Sequence, residues 1–459
     1  MREAGEEIRG FFVIYDKFSV GKGRVQLADS VEVNEQGHLL IGGVDAVKLA
    51  EEYGTPLIAY DVRKIKKQIR GFKQAFEDAG VKYMVSYASK AFSALAMYQL
   101  INKYGLGCDI VSGGELYTAL KGGMPPERIE FHGNNKLQDE LEMAVDEKIG
   151  TIVVDNFREI KLLDHVLRRK HASIGVVLRV TPGIEAETHQ YIMTGQSNSK
   201  FGFDIRSGQA EEALQQLMKN PRMNLMGIHC HIGSQIFAVN GFLMAAEKLV
   251  EVLADWKKRF GYEADVLNLG GGFGIRYNDF DQPLPAEEFV SAIVERVKEL
   301  VAKYELKMPE IIIEPGRAMV GEAATTLYTI GSRKDVDGVC HFLAVDGGMG
   351  DNIRPALYDA HYEAYLADRP NALREQMVTV VGKYCESGDV LVHDCALPNT
   401  KPGDILAMPS TGAYGYTMAS NYNRNPRPAV VFCEEGKSRL VVRRETYADM
   451  MACELGLED

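Results

Sequence analysis

The sequence predicts an α/β fold joined to an all-β region, a (β/α)₈ TIM-type barrel with a β-barrel or sandwich domain beside it. Three observations carry this. From about residue 81, short β-branched runs alternate with segments of helical spacing, which implies a parallel sheet. Eight such units fit in roughly 230 residues, close to the ~250 of a closed barrel. After about residue 317 helical spacing thins out, and short strands with tight turns follow one another. An open doubly wound sheet is the alternative, but the G-x-G-x-x-G turn usual after its first strand is not there.

In chain order, strand-like pieces come first: Arg24–Gln26, Val31–Val33 and Leu57–Tyr60, around one helix, Ala46–Tyr53. Residues 1–61 are expected to join the C-terminal β region, with the barrel (62–317) inserted before its second part (318–459). The barrel strands are expected at Tyr83–Ala88, Cys108–Ser112, Arg128–His132, Thr151–Asp155, Ile174–Val180, Leu225–His231, Val266–Leu269 and Glu310–Glu314. Each is a short apolar run of strand length. Between them, apolar residues recur at helical spacing in Ala91–Tyr104, Gly114–Lys121, Leu137–Lys148, Phe157–Arg169, Gly208–Lys219, Gly241–Phe260 and Pro285–Tyr304. The β region reads as Thr325–Ile330, Phe342–Val345, Met377–Val381, Val390–His393, Asp404–Met408, Ala429–Phe432 and Ser438–Arg443.

Bulk properties exclude several classes. At 459 residues the chain is too long for one ordinary core. With 46% hydrophobic and 25% charged residues it belongs with globular proteins. A net charge of -12 argues against a nucleic-acid partner. Seven cysteines, an odd number with no CxxC pair, fit free thiols in a reducing compartment better than disulfides or a metal site. The start, MREAGEEIRGFFVIYDK, lacks the basic opening and long apolar core of a signal peptide, and no segment approaches a membrane span. A cytoplasmic protein with no metal and no membrane or nucleic-acid partner is expected.

Chemistry in such a barrel gathers at the C-terminal strand tips. The first strand runs into Lys90, as if a buried strand delivered an amine to its tip. A lysine so placed is poorly hydrated, so its pKa should fall and its amine become nucleophilic. Amines of this kind form Schiff bases with carbonyls, pyridoxal phosphate above all. By default, though, a strand-end lysine only marks where a strand meets water. The other tips offer Asp109, His132, Asp155, Arg179, His231 and Glu314. The Gly270–Gly274 cluster after strand seven is a candidate phosphate cradle or a plain tight turn. Ser234 and Arg317 can add a hydroxyl and a guanidinium to it. Glu314 beside a pyridine nitrogen would keep it protonated; its plain alternative is an ion pair with Arg317. His231 can stack on an aromatic ring or be a satisfied core histidine. In the β region, Cys385-Glu386 places a thiol and a carboxylate in an expected loop, the plain alternative being a chance turn. Arg354 and Tyr358, four apart, share a face if helical, and Tyr414 lies in a glycine-rich turn.

Further strings in the same order are GHLLIGGV from Gly37, YGTPL from Tyr53, SYASKAF, CDIVSGGE, HGNNK, Thr188 to Phe203, HCHIGSQ, GGGFG, EPGR, CESGD, GAYGYTMASNYN and Arg443-Arg444-Glu445-Thr446. Together they resemble the diaminopimelate decarboxylases, within the alanine-racemase-like (fold type III) group of pyridoxal-phosphate enzymes. The resemblance spans nearly the whole chain beyond the first ~25 residues. It implies pyridoxal 5'-phosphate as cofactor, with Lys90 as its Schiff-base residue, His231 stacked on the ring and Glu314 on the ring nitrogen. Asp109, Ser234, Gly271, Gly272, Arg317 and Tyr414 would complete the cofactor site. Arg317, Arg354 and Tyr358 would clamp the substrate's distal carboxylate, with Tyr414 adjacent. Cys385, as proton donor, and Glu386, on the distal amine, would reach into the neighbouring subunit's site of a homodimer. The implied reaction is decarboxylation of meso-2,6-diaminopimelate to L-lysine and CO₂, the last step of lysine biosynthesis. Decarboxylation of ornithine, arginine or lysine on the same fold is the alternative, and Arg354 with Tyr358 speaks against it. A racemase would place an arginine where Glu314 stands. A non-catalytic relative would be expected to have lost Lys90 or Cys385. Two departures from the family pattern, Asn198 and Gly382-Lys383-Tyr384, touch no residue assigned to chemistry.

Overall fold

The computed structural model describes residues 31–183 and 199–457, so the expected strand Arg24–Gln26 and the stretch from Thr188 to Asn198 lie outside the described residues. Eight parallel strands close into a barrel: Tyr83–Ala88, Gly107–Ile110, Ile129–Phe131, Thr151–Val154, Ile174–Thr181, Met223–His229, Val266–Asn268 and Glu310–Ile313. Closure is made where Ile312 of the last strand stands beside Met84 of the first. A two-residue strand, Phe203–Asp204, pairs onto the fifth.

Period-two alternation decides what the barrel interior holds. Val153, Val177, Val266 and Ile312 form a small cluster with Met84 and Met226, an apolar plug like the layered filling of such barrels. Two residues further along the same strands stand Asp155, Arg179, Asn268 and Glu314. The residues that follow the plug are thus polar, buried and at the C-terminal mouth.

Helices alternate with the strands much as their spacing predicts. The first departs from expectation: it starts at Leu95, after a 3₁₀ turn over Ser89–Ala91, and not at Ala91. An 18-residue helix, Val62–Ala79, precedes the barrel and is absent from the sequence expectation. Its signal was available, because Val62, Ile65, Ile69, Phe72 and Phe76 recur at three- and four-residue steps and are all buried. Asp61 caps it, accepting from the Arg63 amide. The helix also props up the glycine loop: the Phe72 ring lies 5.2 Å from that of Phe273, which stacks on Phe242 at 4.7 Å. Phe72→Ala should therefore cost about 3–5 kcal/mol in denaturant unfolding, because the cavity opens behind a loop with little freedom to collapse. A loss under ~1 kcal/mol would show that the helix does not support the loop.

Nine of the other strands form a mixed sheet. Leu57–Asp61 runs inside it. It pairs antiparallel with the long strand Ala324–Val336, Tyr60 opposite Ala324, and parallel with Ala429–Glu434, Leu57 beside Ala429. Three short strands, Glu32–Val33, Leu39–Ile41 and Val44–Asp45, make a separate small sheet. Among the described residues no helix is long and apolar enough to cross a membrane.

Candidate active site

A cavity opens at the C-terminal mouth of the barrel. Its lining draws Lys90 from the first strand's exit, Asp109 from the second, His231 and Ser234 from the sixth, Gly272 from the seventh, Glu314 and Arg317 from the eighth, and Tyr414 from the β region. The backbone joins the two regions here. The Tyr414 amide donates to the Ala91 carbonyl at 2.9 Å, and Thr417 Oγ1 donates to the Lys90 carbonyl at 3.0 Å.

Lys90 corrects one expectation. It is exposed, not buried, because the strand ends at Ala88 and the 3₁₀ turn carries Lys90 over the mouth. The apolar run before it reported the strand correctly and the side chain's surroundings wrongly.

Beneath the mouth lies a buried polar network centred on Glu314. Asn268 Nδ2 donates to Glu314 Oε1 at 2.7 Å, and His229 Nε2 lies 3.2 Å from Oε2. His132 Nε2 stands 3.1 Å from Oε1, close enough for an ion pair but without hydrogen-bond alignment. Burial alone would raise the Glu314 carboxyl, but His132 and His229 outweigh it and hold the group well below the usual carboxylate range. Burial would likewise lower His132, yet Asp109 and Glu314 push it up to about 8. His229 goes the other way, down to about 4, because burial wins there. Burial and the like charge of Glu314 push Glu130 up. The result is an anionic Glu314 facing a cationic His132. The ion pair with Arg317 considered from sequence is not what holds it. His229, His132 and Asn268 are the residues that sequence reasoning did not assign here; Asn268 lies one period-two step beyond the plug residue Val266, while His229 ends its strand and His132 follows directly on its own.

The glycine cluster is a close approach of backbones. A Cβ on Gly271 would come 2.1 Å from the Glu314 carbonyl oxygen, and one on Gly272, whose φ is +113°, would come 2.3 Å from that of Gly233. Only glycine fits, which lets the loop fold flat against the mouth. The Gly271 amide donates to His231 Nδ1 at 3.2 Å. Burial, with Lys90 and Arg179 nearby, drives the His231 pKa well below the usual range. Its imidazole is therefore neutral with the proton on Nε2, suited to face an aromatic ring. Arg317 Nη2 donates to Ser234 Oγ at 3.0 Å, while Arg317 Nε and Asp109 Oδ1 are buried with no hydrogen-bond partner. A flat loop, a hydroxyl, an orphaned guanidinium N–H and a carboxylate with spare lone pairs fit a phosphorylated, protonated heteroaromatic cofactor. Arg179, by contrast, is internal support: it pairs with Asp155 at 3.5 Å and covers the Phe201 ring at 4.3 Å.

The Arg354 helix is short, Arg354–Tyr358. Arg354 is buried, but its Nη1 donates to Tyr362 Oη at 2.5 Å, and Tyr358 is 39% exposed. The structure thus gives Arg354 a phenol partner other than the one the four-residue spacing suggests. Arg317 Nη1 donates to Tyr277 Oη, and the Arg317 guanidinium lies 4.9 Å from the Tyr414 ring centre. Cys385 and Glu386 do not line the cavity of their own chain. Both are exposed on a turn pinned by Asn423, whose Oδ1 accepts from the Cys385 amide at 2.7 Å, and by Asp389, which accepts from the Met349 and Tyr384 amides.

Residues 62–321 match the family model described as pyridoxal-dependent decarboxylase, pyridoxal binding domain. The chain is 58% identical over 416 residues to a diaminopimelate decarboxylase of Bacillus methanolicus, covering 91% of this chain and 96% of that one. To that of Bacillus subtilis (strain 168) it is 57% identical over 422 residues, covering 92% and 96%. The crystal structure of diaminopimelate decarboxylase from M. jannaschii in co-complex with L-lysine superposes with a TM-score of 0.86 at 34% identity, covering 93% of this chain and 98% of that one.

Proposed function

Given that the chain belongs to the pyridoxal-dependent decarboxylases and, within them, to the diaminopimelate decarboxylases, we propose a division of labour among the residues around the Lys90 cavity. The enzyme uses pyridoxal 5'-phosphate to remove CO₂ from meso-2,6-diaminopimelate, leaving L-lysine, the last step of lysine biosynthesis. When bound, the cofactor supplies a protonated ring that accepts the electron pair left as CO₂ departs.

The chain's residues do the holding and the proton handling. Lys90 Nζ holds the aldehyde end of the cofactor, and its exposed position over the mouth leaves room for an arriving amine. Glu314 keeps a proton on the ring nitrogen, a role that its anionic state supports. His231 faces the ring, and Asp109 lies beside it. Ser234, Gly271, Gly272, Arg317 and Tyr414 surround the phosphate. The observation that carries the substrate reading is a pair of buried guanidiniums, Arg317 and Arg354, that no carboxylate neutralises among the described residues. They hold the distal carboxylate together with Tyr358, and remote binding energy then sets the scissile bond perpendicular to the ring. Tyr414 borders both the phosphate and the substrate.

Cys385 and Glu386 serve the site of a second copy: Cys385 Sγ returns a proton to the carbon that lost CO₂, and Glu386 takes the distal amine. Their exposure on a pinned turn, away from their own cavity, supports a homodimer with shared sites. Residues 62–317 would form the cofactor-binding unit, with 1–61 and 318–459 contributing the β region. A cytoplasmic location is supported by the free state of all seven cysteines.

The test is CO₂ release from meso-diaminopimelate, ornithine, lysine and arginine side by side. Turnover is expected with the first alone. Arg354→Leu should raise its KM by roughly a hundredfold, since a charge-assisted contact to a carboxylate is worth about 2–3 kcal/mol. Comparable release from ornithine or lysine would transfer the assignment to the basic amino-acid decarboxylases.

A further inference from the structure

Arg317 and Arg354 are buried cations without a carboxylate, and something must hold them in place while the site is empty. The structure supplies phenols. Tyr277 touches both. Its hydroxyl accepts from Arg317 Nη1, and its ring centre lies 5.7 Å from the Arg317 guanidinium carbon and 4.8 Å from that of Arg354. Tyr362 completes the frame. Its hydroxyl accepts from Arg354 Nη1, and its ring meets that of Tyr277 edge-on at 5.4 Å. Both tyrosines are buried, at 8% and 5% exposure, so neither bond is shared with bulk water.

We propose that Tyr277 is a positioning residue that fixes the two guanidiniums at a set separation, with Tyr362 locking the second, and so sets the preference for a substrate carrying a distal carboxylate. This rests on the assignment of Arg317 and Arg354 to that carboxylate. The argument is electrostatic. Two like charges sharing one ring repel, and in a desolvated site cation–π attraction and charge-assisted hydrogen bonds oppose that repulsion without neutralising it. An arriving carboxylate relieves the repulsion and finds both forks already aimed. A phenol is suited to the task because it offers a π face and an acceptor but no full charge. A carboxylate in its place would satisfy the arginines and close the site to the substrate.

The test separates hydroxyl from ring and positioning from chemistry. Holoenzyme carrying Tyr277→Phe or Tyr277→Leu is assayed for kcat and KM with meso-diaminopimelate. Inhibition is measured with pimelate, which has the carboxylates and no amine, and with 1,5-diaminopentane, which has the amines and no carboxylate. Cofactor retention is read from visible absorption. Tyr277→Phe should raise KM about tenfold and weaken pimelate by the same factor, with kcat within about threefold and diaminopentane inhibition within about twofold. Tyr277→Leu, which also removes the π face, should lose a further several-fold for pimelate. Equal loss for pimelate and diaminopentane, a fall in kcat at unchanged KM, or no change in either constant would each overturn the proposal. Arg354→Leu is the control. If it leaves pimelate unaffected, the clamp assignment itself fails; if it weakens pimelate while Tyr277→Phe does not, only the role of Tyr277 fails.

Discussion

Lys90→Ala enzyme should release CO₂ from meso-diaminopimelate at least about a thousandfold more slowly than wild type, while remaining folded. Of the residues lining the cavity, Lys90 is the amine delivered by the barrel's first strand to its mouth, and it is exposed there. Its side chain holds up no core, so truncation to alanine subtracts chemistry and little stability. The turn that carries it is fixed by backbone acceptors, Lys90 and Ala91 carbonyls bound by Thr417 and Tyr414, which the substitution leaves intact. Borohydride should fix the cofactor to Lys90 in the wild-type protein, read by peptide mapping. Label on another lysine, or Lys90→Ala activity above about one per cent, would show that the amine has been assigned to the wrong residue.

The second large effect concerns the turn at Cys385. Cys385→Ala alone should slow turnover by about a hundredfold or more, the usual contribution of a positioned proton donor. Because Cys385 and Glu386 do not line their own chain's cavity, a shared site makes a sharper demand. In a twofold dimer, subunits carrying Lys90→Ala and subunits carrying Cys385→Ala form a mixed dimer with one site that has both groups and one that has neither. Equal mixing with free exchange should recover up to about a quarter of wild-type activity. Each parent preparation should stay near zero. Absence of any recovery after demonstrated exchange would place Cys385 in its own subunit's site or outside the chemistry.

Much of this architecture is legible in the sequence, for a definite reason. Apolar runs such as Ile174–Val180 and Glu310–Glu314 are short, bounded by polar residues and spaced by helices, and the strands appear within two or three residues of those bounds. The tips follow from the strands, so Asp109, His231, Ser234, Gly272, Glu314 and Arg317 meeting at one mouth needed only the barrel. Other features depend on what a linear pattern does not carry. Lys90 leaves the strand through a 3₁₀ turn, and the turn, not the run before it, sets its exposure. The Glu314 network draws single residues from three other strands, and each of His132, His229 and Asn268 looks unremarked alone. Arg354 finds Tyr362, which lies beyond the five-residue helix, while Tyr358 at the helix end stays exposed. The helix Val62–Ala79 is a different case, since its apolar stripe was there to be seen.

The placement of Leu57–Asp61 between Ala324–Val336 and Ala429–Glu434 bears on how the chain is born. A ribosome delivers this strand before the barrel and its two neighbours only after it. At ~5–20 residues per second, the interval between residue 61 and residue 336, where the first of these neighbours is complete, is on the order of fifteen seconds to a minute. During that time five residues destined to be buried, Leu57 to Asp61, have no edge to join. The nascent chain thus carries an orphan strand through the whole synthesis of its largest unit, which is the interval in which a holdase has most to protect.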